Sequence, residues 1–331
     1  MTERIASARS CSNIAFIKYW GNRDNALRLP SNGSISMNLR GLETVTTACF
    51  SKRFSEDRFI LNHVEQSGEA LARMSKHIDF IREMAQSRER VSVVSENSFP
   101  TGVGIASSAS GFAALTVAAC SALELGLNER ELSRIARLGS GSACRSIPGG
   151  FVEWPATDNE HDSFASPFAG PDHWALVDLV AVVSERHKAV GSTGGHALAS
   201  TSALQSARVA DTPRRLMICR EAITNKDFLT LANIIEEDTL MMHGVMMTSR
   251  PSLIYWNPPT MAVMSHVLEL RMSGIPVAFT IDAGPNVHVI STQDYSDMLT
   301  QNLRGINGVT DVLRAVPGDP TVAITEHLAF S

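Results

Sequence analysis

The sequence has no run of four or more Lys/Arg, and its formal net charge is −5 over 331 residues. A nucleic-acid binder carries a basic excess or stripe, so that class is excluded, and an anionic ligand must be met by a few local cations. No apolar stretch reaches the roughly 20 residues a bilayer demands. The run at residues 174–183 is broken by Asp178. The opening Met-Thr-Glu-Arg-Ile-Ala-Ser-Ala-Arg lacks the apolar centre of a signal peptide, so no secretory leader is expected. The five cysteines, Cys11, Cys49, Cys120, Cys144 and Cys219, are scattered and form no C-x-x-C. This argues against a disulfide framework or a zinc site and fits a reducing cytoplasm. There is no G-K pair and no G-x-G-x-x-G, which excludes a Walker P-loop and a dinucleotide fingerprint. Internal repeats and low-complexity tracts are also missing.

Apolar residues make up 44% and charged residues 19%, the balance of an ordinary globular chain. The length suits two domains. Strand-like segments fall at residues 14–19, 35–39, 44–50, 91–94 and 176–184. Residues 67–86 read as a helix, since Leu71, Met74, Ile78, Ile81 and Ala85 draw one apolar stripe, with Ser67 as N-cap. Residues 112–125 read as a buried helix stopped by Gly126. Asn128 with Glu131 three residues on makes a capping box for a helix that ends at Gly139. Thr212-Pro213 reads as a helix start, and residues 228–237 and 261–272 as helices. Residues 277–281 and 287–290 read as paired strands around a tight turn, after which Ser291 or Thr292 caps a further helix. Hairpins beside helices indicate an α+β fold, with a domain boundary near residue 186: residues 1–186 first, 187–331 second.

Four segments carry candidate chemistry. Residues 100–111, P-T-G-V-G-I-A-S-S-A-S-G, follow a strand and open an apolar helix. Small residues let a ligand approach the backbone, and the free amides and dipole of a helix start suit a phosphate. Gly104, Ala106, Ser107 and Ser108 belong to this loop; the same pattern also serves as a turn that merely begins a helix. In S-N-I-A-F-I-K-Y-W-G, residues 12–21, Lys18 stands among apolar neighbours. It either meets an anion or snorkels to the sheet edge. In G-S-G-S-A-C-R-S, residues 139–146, three hydroxyls and Arg145 share a pliable stretch, and a guanidinium fork suits carboxylate or phosphate. In residues 280–286, Asp282 enters a turn, as a turn former or as an acid that handles a substrate hydroxyl.

Together these segments closely resemble the mevalonate diphosphate decarboxylase family of the GHMP kinase superfamily. L-P-S-N-G-S-I-S at residues 29–36, S-E-N-S-F-P-T at 95–101, G-G-F-V-E-W at 149–154 and D-A-G-P-N at 282–286 match as well. The resemblance implies a first domain like ribosomal protein S5 domain 2, a second α+β domain, and a site in the cleft between them. It implies a soluble homodimer that uses ATP and Mg2+ in isoprenoid biosynthesis. ATP would phosphorylate the C3 hydroxyl of a phosphorylated mevalonate, and loss of phosphate and carbon dioxide would leave an alkene. By resemblance Asp282 handles the C3 hydroxyl, Lys18 neutralises phosphoryl charge and Arg145 grips the carboxylate. Tyr19, Asn22, Ser140, Ser142 and Ser192 line the substrate, and Ser95 and Asn97 lie near the nucleoside. Ser107 and Ser108 hold nucleotide phosphates, with Ser108 at the metal.

Two departures bear on the substrate. K-Y-W-G-K of the family reads K-Y-W-G-N here, with Asn22 in place of lysine, and K-x-x-S-S reads Lys188-Ala189-Val190-Gly191-Ser192. Both thin out the phosphate end. They point to mevalonate 5-phosphate, giving isopentenyl phosphate. Arg23 or Lys188 would be the local groups able to compensate. The alternatives are the 5-diphosphate, giving isopentenyl diphosphate, and a kinase that does not decarboxylate.

Overall fold

The computed structural model describes residues 3–99, 107–184 and 191–330. Gly104, Ala106 and Lys188 therefore lie outside the described residues. The first half holds β1 (Arg4–Ile17), β2 (Asn22–Asp24), β3 (Leu29–Pro30), β4 (Ser34–Ser51), β5 (Arg58–Leu61), β6 (Val64–Glu65), α1 (Gly68–Met84), β7 (Arg90–Asn97), α2 (Ser107–Ala122), α3 (Glu129–Gly139), β8 (Phe151–Trp154), β9 (Ser166–Ala169) and β10 (Leu176–Val182). Then come α4 (Ser192–Leu198), α5 (Gln205–Asn225), α6 (Phe228–Thr248), α7 (Pro258–Met272), β11 (Val277–Thr280), β12 (Val287–Thr292), α8 (Ser296–Arg304), β13 (Asp311–Pro317) and β14 (Val322–Ile324). The fold is α+β, as the mixed order implied.

One sheet runs β11-β12-β10-β13-β4-β7-β5-β6, with β1 pairing β4 and β14, and β8 pairing β4 and β9. Only β5 and β7 pair in parallel among the described strands. β4 is the spine. Residues 44–51 pair with β7, residues 34–37 with β8, and Leu39 and Arg40 with β13. The change of partner falls at Gly41, which sits at φ +108 with Arg314 O only 2.8 Å from where a Cβ would be. An L side chain would be strained there and would also clash. β1 follows β4 across the same break, with a register shift between Cys11 and Ser12. Its far end thereby leaves the first layer and delivers Lys18 to the second.

The larger apolar clusters among the described residues fill the space between sheet and helices. α1, α2 and α3 cover one face around Phe50, Ile78, Val93 and Ala118. α7 and α8 cover β10–β12, where Leu179, Val267, Phe279 and Leu303 share one cluster. α5 and α6 pack on the side that meets β1, around Phe16, Ile35, Ile223 and Ile235.

Several local readings change. The strands read at residues 14–19, 35–39 and 44–50 belong to two long ones: β1 begins at Arg4 and stops at Ile17, short of Lys18 and Tyr19, and β4 runs unbroken from Ser34 to Ser51. Thr212-Pro213 lies inside α5, which begins at Gln205. Tertiary contacts on both sides of the proline hold the helix: Arg208 donates to Lys18 O at 2.7 Å and Arg215 to Asp238 Oδ1 at 2.8 Å. The reversal after α2 uses Glu124 at φ 56 rather than Gly126. Ser67 occupies the N-cap of α1 without a side-chain bond. Thr292 precedes a 3-10 turn, and α8 starts at Ser296. The Asn128–Glu131 capping box forms as read.

Candidate active site

Lys18 follows β1 directly, and the hydrophobic strand before it draws it inside, where it is 1% exposed. Its ammonium donates to Asp282 Oδ1 at 2.7 Å. Asp282 lies just past β11, in the turn that joins it to β12, and keeps 24% side-chain exposure. The carboxylate thus keeps some access to solvent while the lysine sits behind it. Burial alone would raise the Asp282 carboxyl. The Lys18 ammonium, with His288 and Arg145 nearby, outweighs burial and holds it below its usual range. Burial pulls the Lys18 ammonium below its ordinary value, against the pull of Asp282 and Asp238.

α6 fixes both members. Asp238 Oδ2 accepts the Lys18 backbone N–H at 2.7 Å, while Arg208 and Asn32 donate to the Lys18 carbonyl at 2.7 and 2.9 Å. Arg215 donates to Asp238 Oδ1 at 2.8 Å, so this fully buried carboxylate is compensated. At the next residue of the helix, Thr239 Oγ1 accepts Ile281 N–H at 2.9 Å and donates to Ile281 O at 2.8 Å. Asn286 Oδ1 closes the turn by accepting Val183 N–H at 2.8 Å.

Arg145 comes from a 3-10 turn, Gly141–Ser146, and is 3% exposed. It donates to Ser34 Oγ at 2.8 Å and Asn13 Oδ1 at 3.2 Å, its Nε has no partner, and among the described residues it pairs with no carboxylate. Burial lowers its pKa. A buried guanidinium so placed is an open seat for an anion. Tyr19 is held edge-on to Trp154 at 4.8 Å, stacks on His196 at 4.1 Å, and donates to Asn22 Oδ1. Ser192 is exposed in the first turn of α4, the helix that carries His196.

Ser95, Asn97, Ser107 and Ser108 line one cavity of about 520 Å³, with Phe59, Leu61, Met74 and Phe112 as apolar walls and Asn62 and Gln66 as further polar groups. Ser108 Oγ lies 3.2 Å from Ser140 Oγ, which lies 3.4 Å from Ser142 Oγ. This hydroxyl chain joins the cavity to the Arg145 turn. No group of three or more His/Cys/Asp/Glu suited to a metal ion occurs among the described residues. Sequence reasoning missed Asn13, Ser34, Arg28, Asp238, Arg208 and His196. Asn13 and Ser34 stood inside matched segments; Arg28, His196, Arg208 and Asp238 fell outside every segment singled out in the sequence.

A cavity at the start of α2 joined by hydroxyls to the turn of a buried arginine, together with a buried Lys–Asp pair, fits a small-molecule phosphoryl-transfer protein of the GHMP kinase type. Family models agree: residues 10–165 match the diphosphomevalonate decarboxylase-like N-terminal domain, and residues 178–323 the mevalonate 5-diphosphate decarboxylase C-terminal domain. The chain belongs to the mevalonate diphosphate decarboxylase family. It is 39% identical over 318 residues to the diphosphomevalonate decarboxylase of Aspergillus fumigatus, covering 89% of this chain and 79% of that one. With the Saccharomyces cerevisiae diphosphomevalonate decarboxylase it shares 38% over 306 residues, 86% and 77% of the two chains. The mevalonate diphosphate decarboxylase of Staphylococcus aureus superposes with a TM-score of 0.92 at 35% identity, over 98% of both chains. A structure of MDDEF in complex with MVAPP, AMPPCP and magnesium gives 0.92 at 36% identity, over 98% and 99%. No helix among the described residues is long and apolar enough to cross a membrane.

Proposed function

We propose that the chain is an ATP-dependent decarboxylase of a 5-phosphorylated mevalonate. The observation that carries this is the Lys18–Asp282 pair, 2.7 Å apart, beside a buried Arg145 that has no carboxylate partner among the described residues. Asp282, held ionised, accepts the proton of the C3 hydroxyl as that oxygen takes the γ-phosphoryl group of ATP. Lys18 offsets the negative charge that gathers between donor and acceptor. Arg145 holds the C1 carboxylate by charge-assisted bonds and keeps it aligned with the C3–O bond. When phosphate leaves C3 with the bonding pair of the C–O bond, the C1–C2 pair becomes the new double bond and carbon dioxide departs. Ser107, Ser108, Ser95 and Asn97 suit the nucleotide. Mg2+ would be held by phosphate oxygens and the Ser108 hydroxyl, which fits a hard cation that keeps few protein ligands and neutralises phosphate charge. Tyr19, Ser140, Ser142 and Ser192 suit the substrate.

The relatives' names support mevalonate 5-diphosphate as substrate. A second reading, mevalonate 5-phosphate, is favoured by one observation: Asn22, bonded to Tyr19, brings an uncharged amide to the phosphate end. The test offers the purified chain mevalonate, its 5-phosphate and its 5-diphosphate separately with magnesium ATP, following ADP and carbon dioxide. Equal release of ADP and carbon dioxide supports the decarboxylase reading, and the higher kcat/KM names the substrate. ADP without carbon dioxide would make the chain a kinase.

A further inference from the structure

The family's lysine is missing at position 22, yet the small β2–β3 hairpin that carries Asn22 also carries Arg28. Asn22 pairs with Pro30 across the hairpin, and Arg28 stands at the end of the turn, at φ 50. Its guanidinium is half-buried. Nε donates to Leu138 O at 2.9 Å, in the last turn of α3, directly before Gly139 and Ser140. Among the described residues it makes no ion pair with a carboxylate, and the acidic group facing it is the Tyr19 phenol. The neighbouring carbonyl, Gly139 O, takes Arg73 at 3.0 Å. Two guanidiniums therefore converge on the C-terminal carbonyls of α3, where the helix dipole is negative, without a full negative charge between them. Arg28 also acts on His196, the ring stacked on Tyr19. Arg23, the other cation of the hairpin, is spent on Asp158.

An arginine withdrawn from water beside a second arginine, with no acid to meet it, is unfavourable until an anion arrives. With Nε engaged, its two terminal nitrogens form a fork that matches two phosphate oxygens. We propose that Arg28 grips the 5-phosphoryl group of the substrate, supplying from this hairpin the cation that Asn22 does not. The inference rests on the decarboxylase reading above. Arg73, by contrast, lines the nucleotide cavity and lies over the Phe112 ring.

The experiment measures binding of mevalonate 5-phosphate, mevalonate 5-diphosphate and ADP by calorimetry to the native chain, Arg28→Gln and Arg28→Lys. Carbon dioxide release is assayed in parallel. Arg28→Gln is expected to weaken the better-bound 5-phosphorylated mevalonate about ten- to hundredfold, the size of a lost charge-assisted contact. ADP affinity should stay within about twofold. Arg28→Lys should recover part of the loss, since it restores charge without the fork, and it serves if the glutamine variant does not fold. Unchanged substrate binding, or a loss confined to ADP, overturns the inference while native carbon dioxide release leaves the decarboxylase reading standing. A native chain that binds neither 5-phosphorylated compound overturns both.

Discussion

At the scale of the residue, the site depends on a largely buried carboxylate kept ionised. Asp282 is below its ordinary pKa because Lys18, His288 and Arg145 outweigh its burial. Asp282→Asn keeps the shape but removes the charge and the proton acceptor. It also leaves the Lys18 ammonium buried without its partner, which favours the neutral amine. Turnover should fall at least about a hundredfold with ADP affinity nearly unchanged. Near-normal turnover would make Asp282 a turn former only. Asn22 bears on a different property. An amide donates a hydrogen bond but does not neutralise charge, and a charge-assisted contact is roughly twice as strong as a neutral one. Asn22→Lys should shift the kcat/KM ratio toward the diphosphate by roughly 1–2 kcal/mol, measured at one ionic strength. A ratio that stays put would remove Asn22 from substrate selection. Both residues were legible in the sequence as members of matched segments. Asp238 and Arg208, which hold the peptide of Lys18, were not. They lie 220 and 190 positions from it, on helices without distinctive composition.

At the scale of the element, α6 is the ruler of the site. Asp238 and Thr239 are adjacent on it, and they hold the peptide of Lys18 and the peptide of Ile281 respectively. One rigid helix thus sets the separation of two side chains that arrive from distant strands. Thr239→Val keeps the volume and leaves the Ile281 N–H without its acceptor, at a cost of roughly 1–3 kcal/mol. The melting temperature should drop, and kcat should fall more than roughly tenfold while KM for magnesium ATP holds. Thr239→Ser should restore kcat, since it returns the hydroxyl. A variant that melts lower but turns over normally would show that the strand end is fixed by β12 pairing alone. The sequence showed residues 228–237 as helical and missed the second half of α6. The Met-rich continuation to Thr248 lacks an amphipathic pattern because its outward face, at Leu240, Met241 and Met247, is apolar as well, while Met242, Val245 and Met246 pack with Trp20 and Leu253.

At the scale of the whole molecule, the fold stores several neutral histidines. His77, His196 and His243 are each pushed down from 6.5 to about 3, first by burial and then by neighbouring cations such as Arg73, Arg28 and Lys18. On unfolding they regain ordinary values and bind protons below about pH 6.5. The unfolded state then holds more protons than the folded one, so stability is full above about pH 6.5 and declines as pH falls toward about 3. The carboxyl of Asp282, depressed on folding, adds to this loss only below the ordinary carboxylate range. The urea midpoint should therefore be lower at about pH 5 than at about pH 7.5, and His77→Gln should reduce that difference. Equal midpoints in the native chain would mean that these rings take up protons without unfolding.

The sequence by itself determined the α+β class, the capping box of α3, the hairpin around Asp282 and the loops rich in small residues. These follow from neighbours in the chain: periodicity, turn chemistry and the absence of side chains that would keep a ligand away. Tertiary structure alone decided how β4 changes partners at Gly41, how α5 runs through Pro213, and which cations are free. Arg23 and Arg28 look alike in the sequence. Among the described residues, one meets Asp158 and the other meets only carbonyl and phenol. A charge is available to a ligand only when nothing in the fold has already matched it. Arg23 and Asp158 stand 135 positions apart, and pairing over such a span is settled by packing, which a local pattern does not encode.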